Sequence, residues 1–217
     1  MSFRARDSQV EKEISSFLDI YFYPKKVNDF LRYNSKEEQL AGKDVSFTFL
    51  NTGSIIVDEK AATHYINKNL TTFAFELSFL LSNGNEVQGW LLDKSKVTEY
   101  YFLMWITAYT EKTWELKKED IKEIQATLIS RNKIIEFLNS ITYDAAKLKR
   151  ANNKIRRNNL DGPLGKSNDS DAWHPEVYFF STQRLSEKPI NILIKRNRLE
   201  DLALRNYKIT KTKIQEY

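Results

Sequence analysis

Asp44 stands at the mouth of an apolar run in AGKDVSFTF, and Asp58 and Lys60 fall in the next such run, SIIVDEKAA. Both runs read as short strands separated by the turn residues of NTGS. If the strands are neighbours, pairing brings the two carboxylates to one end of the sheet. Strand side chains alternate, so Asp58 and Lys60 share a face while Glu59 points away. Two acids and one amine then converge. Mg²⁺ takes one or two protein carboxylates and completes its octahedron with water and substrate phosphate, so this grouping suits hydrolysis of a phosphodiester. A metal so held acidifies a bound water and stabilises charge on the phosphate. Lys60 would orient that water or neutralise the phosphate oxygens, and the carbonyl oxygen of Glu59 lies where it can add a ligand.

Composition narrows the alternatives. The 217 residues contain no cysteine, which excludes a disulfide framework, a Cys-ligated metal and a cysteine nucleophile. Only His64 and His174 are available for histidine chemistry, so any metal must be held mainly by oxygen. The N-terminus MSFRARDSQVEKEI is charged where a signal peptide needs an apolar core, and no stretch approaches the roughly 18 apolar residues of a membrane span. A cytoplasmic protein without a membrane partner is expected.

The elements that must position the acids follow from periodicity. Val10, Ile14, Phe17, Leu18 and Tyr21 form the apolar stripe of an amphipathic helix from about Ser8 to Tyr23, with Pro24 just beyond. TTFAFELSFLL and EVQGWLLD flank SNGN, and Asn-Gly between β-rich runs is a strong hairpin signal. TEYYFLMWITAY and KEIQATLIS read as further strands, followed by a helix at RNKIIEFLNSI and a basic helix. The loop DGPLGKSNDSDAWHP precedes strands VYFFST and INILIK and a last helix around RLEDLALRNY. This order describes an α/β protein, a mixed sheet with helices packed on it. A single domain is expected, residues 1–144 forming the core and 145–217 a basic extension.

Gln39, Gly42 and Asp44 in QLAGKD, with Asp58, Glu59 and Lys60 in VDEK, resemble the signature of the PD-(D/E)XK, or restriction-endonuclease-like, nuclease superfamily. Lys43 stands where that signature has its proline. The preceding helix, the strand order and the Thr-Phe-x-Phe-Glu strand are also similar to that superfamily's core, over roughly residues 8–107. The resemblance implies a metal-dependent nuclease with a restriction-endonuclease-like core. In it Asp44 and Asp58 would bind Mg²⁺ or Mn²⁺, Lys60 would assist catalysis, and an acid of the first helix would complete the site. Glu13, nearer the apolar stripe than Glu11, is the candidate for that acid.

The charge is unevenly spread. Residues 1–144 carry 18 basic and 21 acidic side chains, whereas 145–217 carry 16 and 8. The run KLKRANNKIRR brings Lys149, Arg150, Lys154, Arg156 and Arg157 together without an acid, and such a run either neutralises phosphates or forms a solvated helix face. The nucleic acid expected as partner is DNA, and cutting both strands would call for two sites, hence a homodimer. Glu76 either supports the site or belongs to the solvent row of its strand; Gln39 either contacts the site or satisfies backbone groups. Trp173 and Tyr178 can stack on bases or anchor a core. The reading from a different class is a non-catalytic nucleic-acid-binding or interaction module that keeps the nuclease fold.

Overall fold

The computed structural model describes residues 3–49, 53–164 and 174–217, with side chains from Ser8 onward. In chain order the elements are α1 (Phe3–Tyr21), α2 (Tyr23–Lys26), β1 (Asn28–Arg32), α3 (Lys36–Leu40), β2 (Val45–Thr48), β3 (Ser54–Ala61), β4 (Thr72–Leu80), β5 (Glu86–Gln88), β6 (Tyr100–Ala108) and β7 (Ile121–Ser130). There follow α4 (Arg131–Ser140), α5 (Ala145–Arg157), β8 (Gly162–Leu164), β9 (Val177–Ser181), β10 (Ile190–Lys195), α6 (Arg196–Leu202), β11 (Arg205–Ile209) and β12 (Ile214–Glu216). The protein is α/β, with helices flanking its sheets. The chain forms two compact units, neither continuous in sequence: Met1–Leu70, Val97–Ser130 and Ala203–Tyr217 make one, Thr71–Lys96 and Arg131–Leu202 the other.

The first unit holds a seven-stranded sheet in the order β1-β2-β3-β6-β7-β11-β12. β3 and β6 run parallel and the remaining pairs antiparallel, so the sheet is mixed. A parallel pair needs a long crossover, and here the chain spends residues 62–99 between the two strands. β6 is buried from Tyr101 to Ile106, the continuous apolar run of a strand covered on both faces. Val10, Ile14, Phe17 and Leu18 of α1 join Ile55, Val57, Phe102 and Met104 in one core. Each such burial contributes about 1.5–3 kcal/mol.

The second unit holds a five-stranded antiparallel sheet, β5-β4-β10-β9-β8. The Asn83-Gly84 turn joins β4 to β5, with Gly84 at a positive φ of 81°. Gly89 must remain glycine because a Cβ there would lie 2.2 Å from the Glu76 carbonyl oxygen. Asp144 caps helix α5, its side chain accepting from the Lys147 amide, and the helix buries Leu148, Asn152 and Ile155.

Several expectations are corrected. The first helix spans Phe3–Tyr21, and Pro24 falls inside the short α2. The strand TFAFEL does not follow β3 in its sheet: β4 pairs with β5 and β10, and the neighbour of β3 is β6. The last helix stops at Leu202. Arg205–Ile209 instead forms β11 on β7, burying Tyr207 and Ile209 with the two-residue period of a strand. β1 gives little sequence signal because, as an edge strand, it buries none of its residues fully. Asn51 and Thr52 of the NTGS turn, much of the loop before β9, and Trp173 lie outside the described residues.

Candidate active site

The register of β2 on β3 places the two aspartates. Val45 is opposite Val57, Ser46 opposite Ile56 and Phe47 opposite Ile55, so Asp44 and Asp58 stand just past the end of this register. The Asp44 amide still donates to the Val57 carbonyl, at 3.1 Å. The approach to Asp44 is fixed by its loop: Gly42 takes a positive φ of 78°, and its carbonyl accepts from the Thr98 hydroxyl at 2.8 Å.

Beyond Val57, β3 outruns β2 and continues beside β6 alone through Ala61. The place where β2 would have continued is open. A cleft of about 1010 Å³ lies there, with Asp44, Glu59, Lys60 and Ala61 among its lining residues, and with Ser8, Glu11, Lys12, Ser15 and Asp19 of α1 along it.

The carboxyl of Asp44 is hydrogen-bonded to that of Asp58, and its Oδ2 accepts from the Glu59 amide at 2.7 Å. Asp58 also takes an ion pair and hydrogen bond from the Lys60 Nζ. The Asp58 side chain is only 5% exposed. Burial pushes the Asp44 carboxyl up to about 8; Lys60 opposes this, while Asp58 and Glu59 add to it. Near neutrality Asp44 therefore carries a proton. Lys60 is shifted the other way from a typical buried lysine: burial works against its charge, but Asp58, Asp44 and Glu11 outweigh it and hold the ammonium protonated.

Glu59 faces away from this group, as strand alternation requires, and is fully engaged. Its carboxylate, 5% exposed, accepts from Ser15 Oγ at 2.9 Å, Tyr23 OH at 2.5 Å and both terminal nitrogens of Arg32 at 2.9 and 3.1 Å. Arg32 also forks onto Asp19 through Nε and Nη2. Burial works against the Arg32 charge, and Glu59 more than offsets it, so the guanidinium is held above its usual range. Burial and then Glu59 raise the Tyr23 phenol, which stays protonated. The Glu59 carboxylate is thus no ligand. Its backbone is differently placed, because the N–H and C=O of a strand residue face the same edge; the amide reaches Asp44, so the carbonyl faces that side too.

Gln39, exposed on α3, lines the cleft with Asp44. Glu13 does not. Its carboxylate accepts from the Lys118 amide at 3.0 Å and meets Lys117 at 3.6 Å. Glu11 lines the cleft and bears on Lys60 instead, because two residues apart on a helix are on nearly opposite sides. Glu76 sits in the other unit's sheet, opposite Asn191. Of the basic run, Lys149, Arg150, Lys154 and Arg157 are exposed on α5. Arg156 is captured by Ser78 at 2.8 Å, the Lys188 carbonyl at 2.6 Å and Glu86. Tyr178 is half-buried on β9.

Sequence reasoning missed Arg32, Tyr23, Ser15 and Asp19, and ranked Glu11 below Glu13. One signal was present: Glu11, Ser15 and Asp19 recur every four residues, a polar row beside the apolar stripe.

Among the described residues no group of three or more His, Cys, Asp and Glu side chains is gathered as a metal site, and no helix is long and apolar enough to cross a membrane. Asp44 and Asp58 offer two carboxylates, the number Mg²⁺ takes. The proton held by Asp44 marks a place where a dication can replace a proton. No family model, no curated protein and no solved structure matches the chain.

Proposed function

We propose that the protein is a metal-dependent nuclease that hydrolyses phosphodiester bonds of nucleic acid, with DNA the expected substrate, on a core of the restriction-endonuclease-like, PD-(D/E)XK kind. The observation that carries this reading is the convergence of the Asp44 and Asp58 carboxyls beside Lys60 at the open end of β2. Asp44 and Asp58 would hold Mg²⁺ or Mn²⁺, with the Glu59 carbonyl on the same edge. The ion, when bound, would activate water and stabilise phosphate charge.

The chain's own residues divide the remaining work. Asp44 gives up its proton to become a ligand. Asp58 holds the Lys60 ammonium in place. Lys60, kept protonated, is not a base; it donates to phosphate oxygens as negative charge grows on them. Glu59, Arg32 and Asp19 fix β1 and α1 against β3, which keeps the strand carrying Asp58 and Lys60 in register with Asp44. Lys149, Arg150, Lys154 and Arg157 form an exposed cationic row that would add phosphate contacts without reading sequence.

Plasmid nicking in Mg²⁺ or Mn²⁺ tests the reading. The parent should cut, and Asp58→Ala should cut at least about 10²-fold more slowly, as when one transition-state stabiliser is lost. Equal cutting by both would place the chemistry elsewhere. A parent that binds DNA but never cuts it would be the non-catalytic module of the same fold.

A further inference from the structure

The residues of α1 that line the cleft fall in two rows. Glu11, Ser15 and Asp19 form one, and Ser15 and Asp19 are tied inward to Glu59 and Arg32. Ser8, Lys12 and Ser16 form the other, again four residues apart and so stacked turn above turn. The connection from β1 and helix α3 supply Asn34, Lys36 and Gln39 to the same cleft. All six side chains carry hydrogen-bond donors, and none is an acid.

The charges near the floor are mostly spent on one another: Arg32 on Asp19 and Glu59, Lys60 on Asp58. Among the described residues Lys12 and Lys36 are exposed and form no ion pair, so they are the lining cations open to an anion. A polyanionic strand entering the cleft meets the acidic side chains of Glu11, Asp19, Asp44 and Glu59 along its lining and needs compensation close by. Two ammonium groups amid hydroxyl and amide donors provide it.

We infer that Lys12 and Lys36, flanked by the donors of Ser8, Ser16, Asn34 and Gln39, grip the sugar-phosphate backbone of a nucleic-acid strand laid across this cleft. The inference rests on the nuclease reading of the cleft floor and adds where the strand runs and what holds it. Lys12 and Lys36 are positioning residues: they hold the strand by its phosphates and take no part in breaking the bond. Contacts of this kind carry no base identity, so cutting should tolerate changes of sequence.

Fluorescence anisotropy with labelled single-stranded and duplex oligonucleotides, with Ca²⁺ in place of Mg²⁺, provides the test. The parent is compared with Lys12→Gln/Lys36→Gln, with the rescue variant Lys12→Arg/Lys36→Arg, and with Lys68→Gln/Lys94→Gln, which removes the same charge from exposed sites outside the cleft lining. The Lys12→Gln/Lys36→Gln variant should bind about tenfold more weakly or worse. Its slope of log K against log salt should shrink by about 1.4–1.8, the share of two phosphate contacts. In nicking its KM should rise with kcat within about twofold of the parent. The arginine variant should recover binding, and the control should stay within about twofold. Lys12→Gln/Lys36→Gln and control variants that bind alike would overturn the inference while leaving the nuclease reading intact. A parent that neither binds nor cuts nucleic acid would overturn both.

Discussion

Two ion networks meet on β3 and border the same cleft. On one face Glu59, Arg32, Asp19, Tyr23 and Ser15 form a closed set, in which each Glu59 oxygen receives two donors and the guanidinium forks onto two carboxylates. On the other face the Asp44 carboxyl meets that of Asp58, which pairs with Lys60. The first set is complete without help. The second holds one carboxyl in a state far from its ordinary chemistry, which burial enforces and only an added cation would relieve. Consecutive residues of one strand thus serve opposite ends, one face anchoring the strand and the other holding the Asp44 carboxyl protonated near neutrality.

Breaking the closed set should have the largest effect on folding. Arg32→Ala leaves two carboxylates unpaired, one of them nearly buried, and should cost about 3–5 kcal/mol, lowering Tm by roughly 6 °C or more for a chain of this size. A variant that melts with the parent would mean the network is not holding β1 and α1.

Removing the strained carboxyl should act in the opposite direction. Asp44 keeps its proton in the folded protein up to about 8, whereas an aspartate in an unfolded chain ionises near 4. The folded state therefore holds the extra proton across that window, and stability is full below about pH 4 and declines as pH rises to about 8. Asp44→Asn removes this decline. Its Tm should exceed that of the parent at pH 8 by several degrees and converge with it near pH 4, as followed by circular dichroism. The same variant should lose nicking, because a neutral amide cannot replace the carboxylate ligand. For the parent, activity should climb with pH over the range in which Asp44 releases its proton, and Mg²⁺ should draw that rise to lower pH.

A smaller change sharpens the contrast. Ser15→Ala removes one of four donors to Glu59 and should cost about 1 kcal/mol with kcat unaltered. A large fall in kcat would show that the two faces of β3 are coupled rather than separate.

How much of this was legible in sequence depends on the range of the interactions. Asp44, Asp58 and Lys60 could be brought together from local rules alone, since a short connection and strand alternation define the register. The same alternation turned Glu59 away. The Asn83-Gly84 hairpin was equally local. The partners of Glu59 were not readable, because Arg32 reaches it only once β1 has docked beside β2 and α1 has packed on the sheet. Glu11 and Glu13 are separated by a rotation about the helix axis that proximity to the apolar stripe ranked wrongly. Glu76 went astray for a similar reason. Which sheet β4 joins is decided by β10, more than a hundred residues later in the chain. Arg156 looked like any other cation of its run until Ser78 and Glu86 claimed it.

The most direct measurement is calorimetric titration of Mn²⁺ into the protein at pH 7 in buffers of different ionisation enthalpy, which counts the protons released per metal. The account predicts one metal bound with release of close to one proton in the parent, a release that fades as pH passes about 8, and neither binding nor release in Asp44→Asn. Binding of equal strength in both proteins, or no binding by the parent, would contradict it.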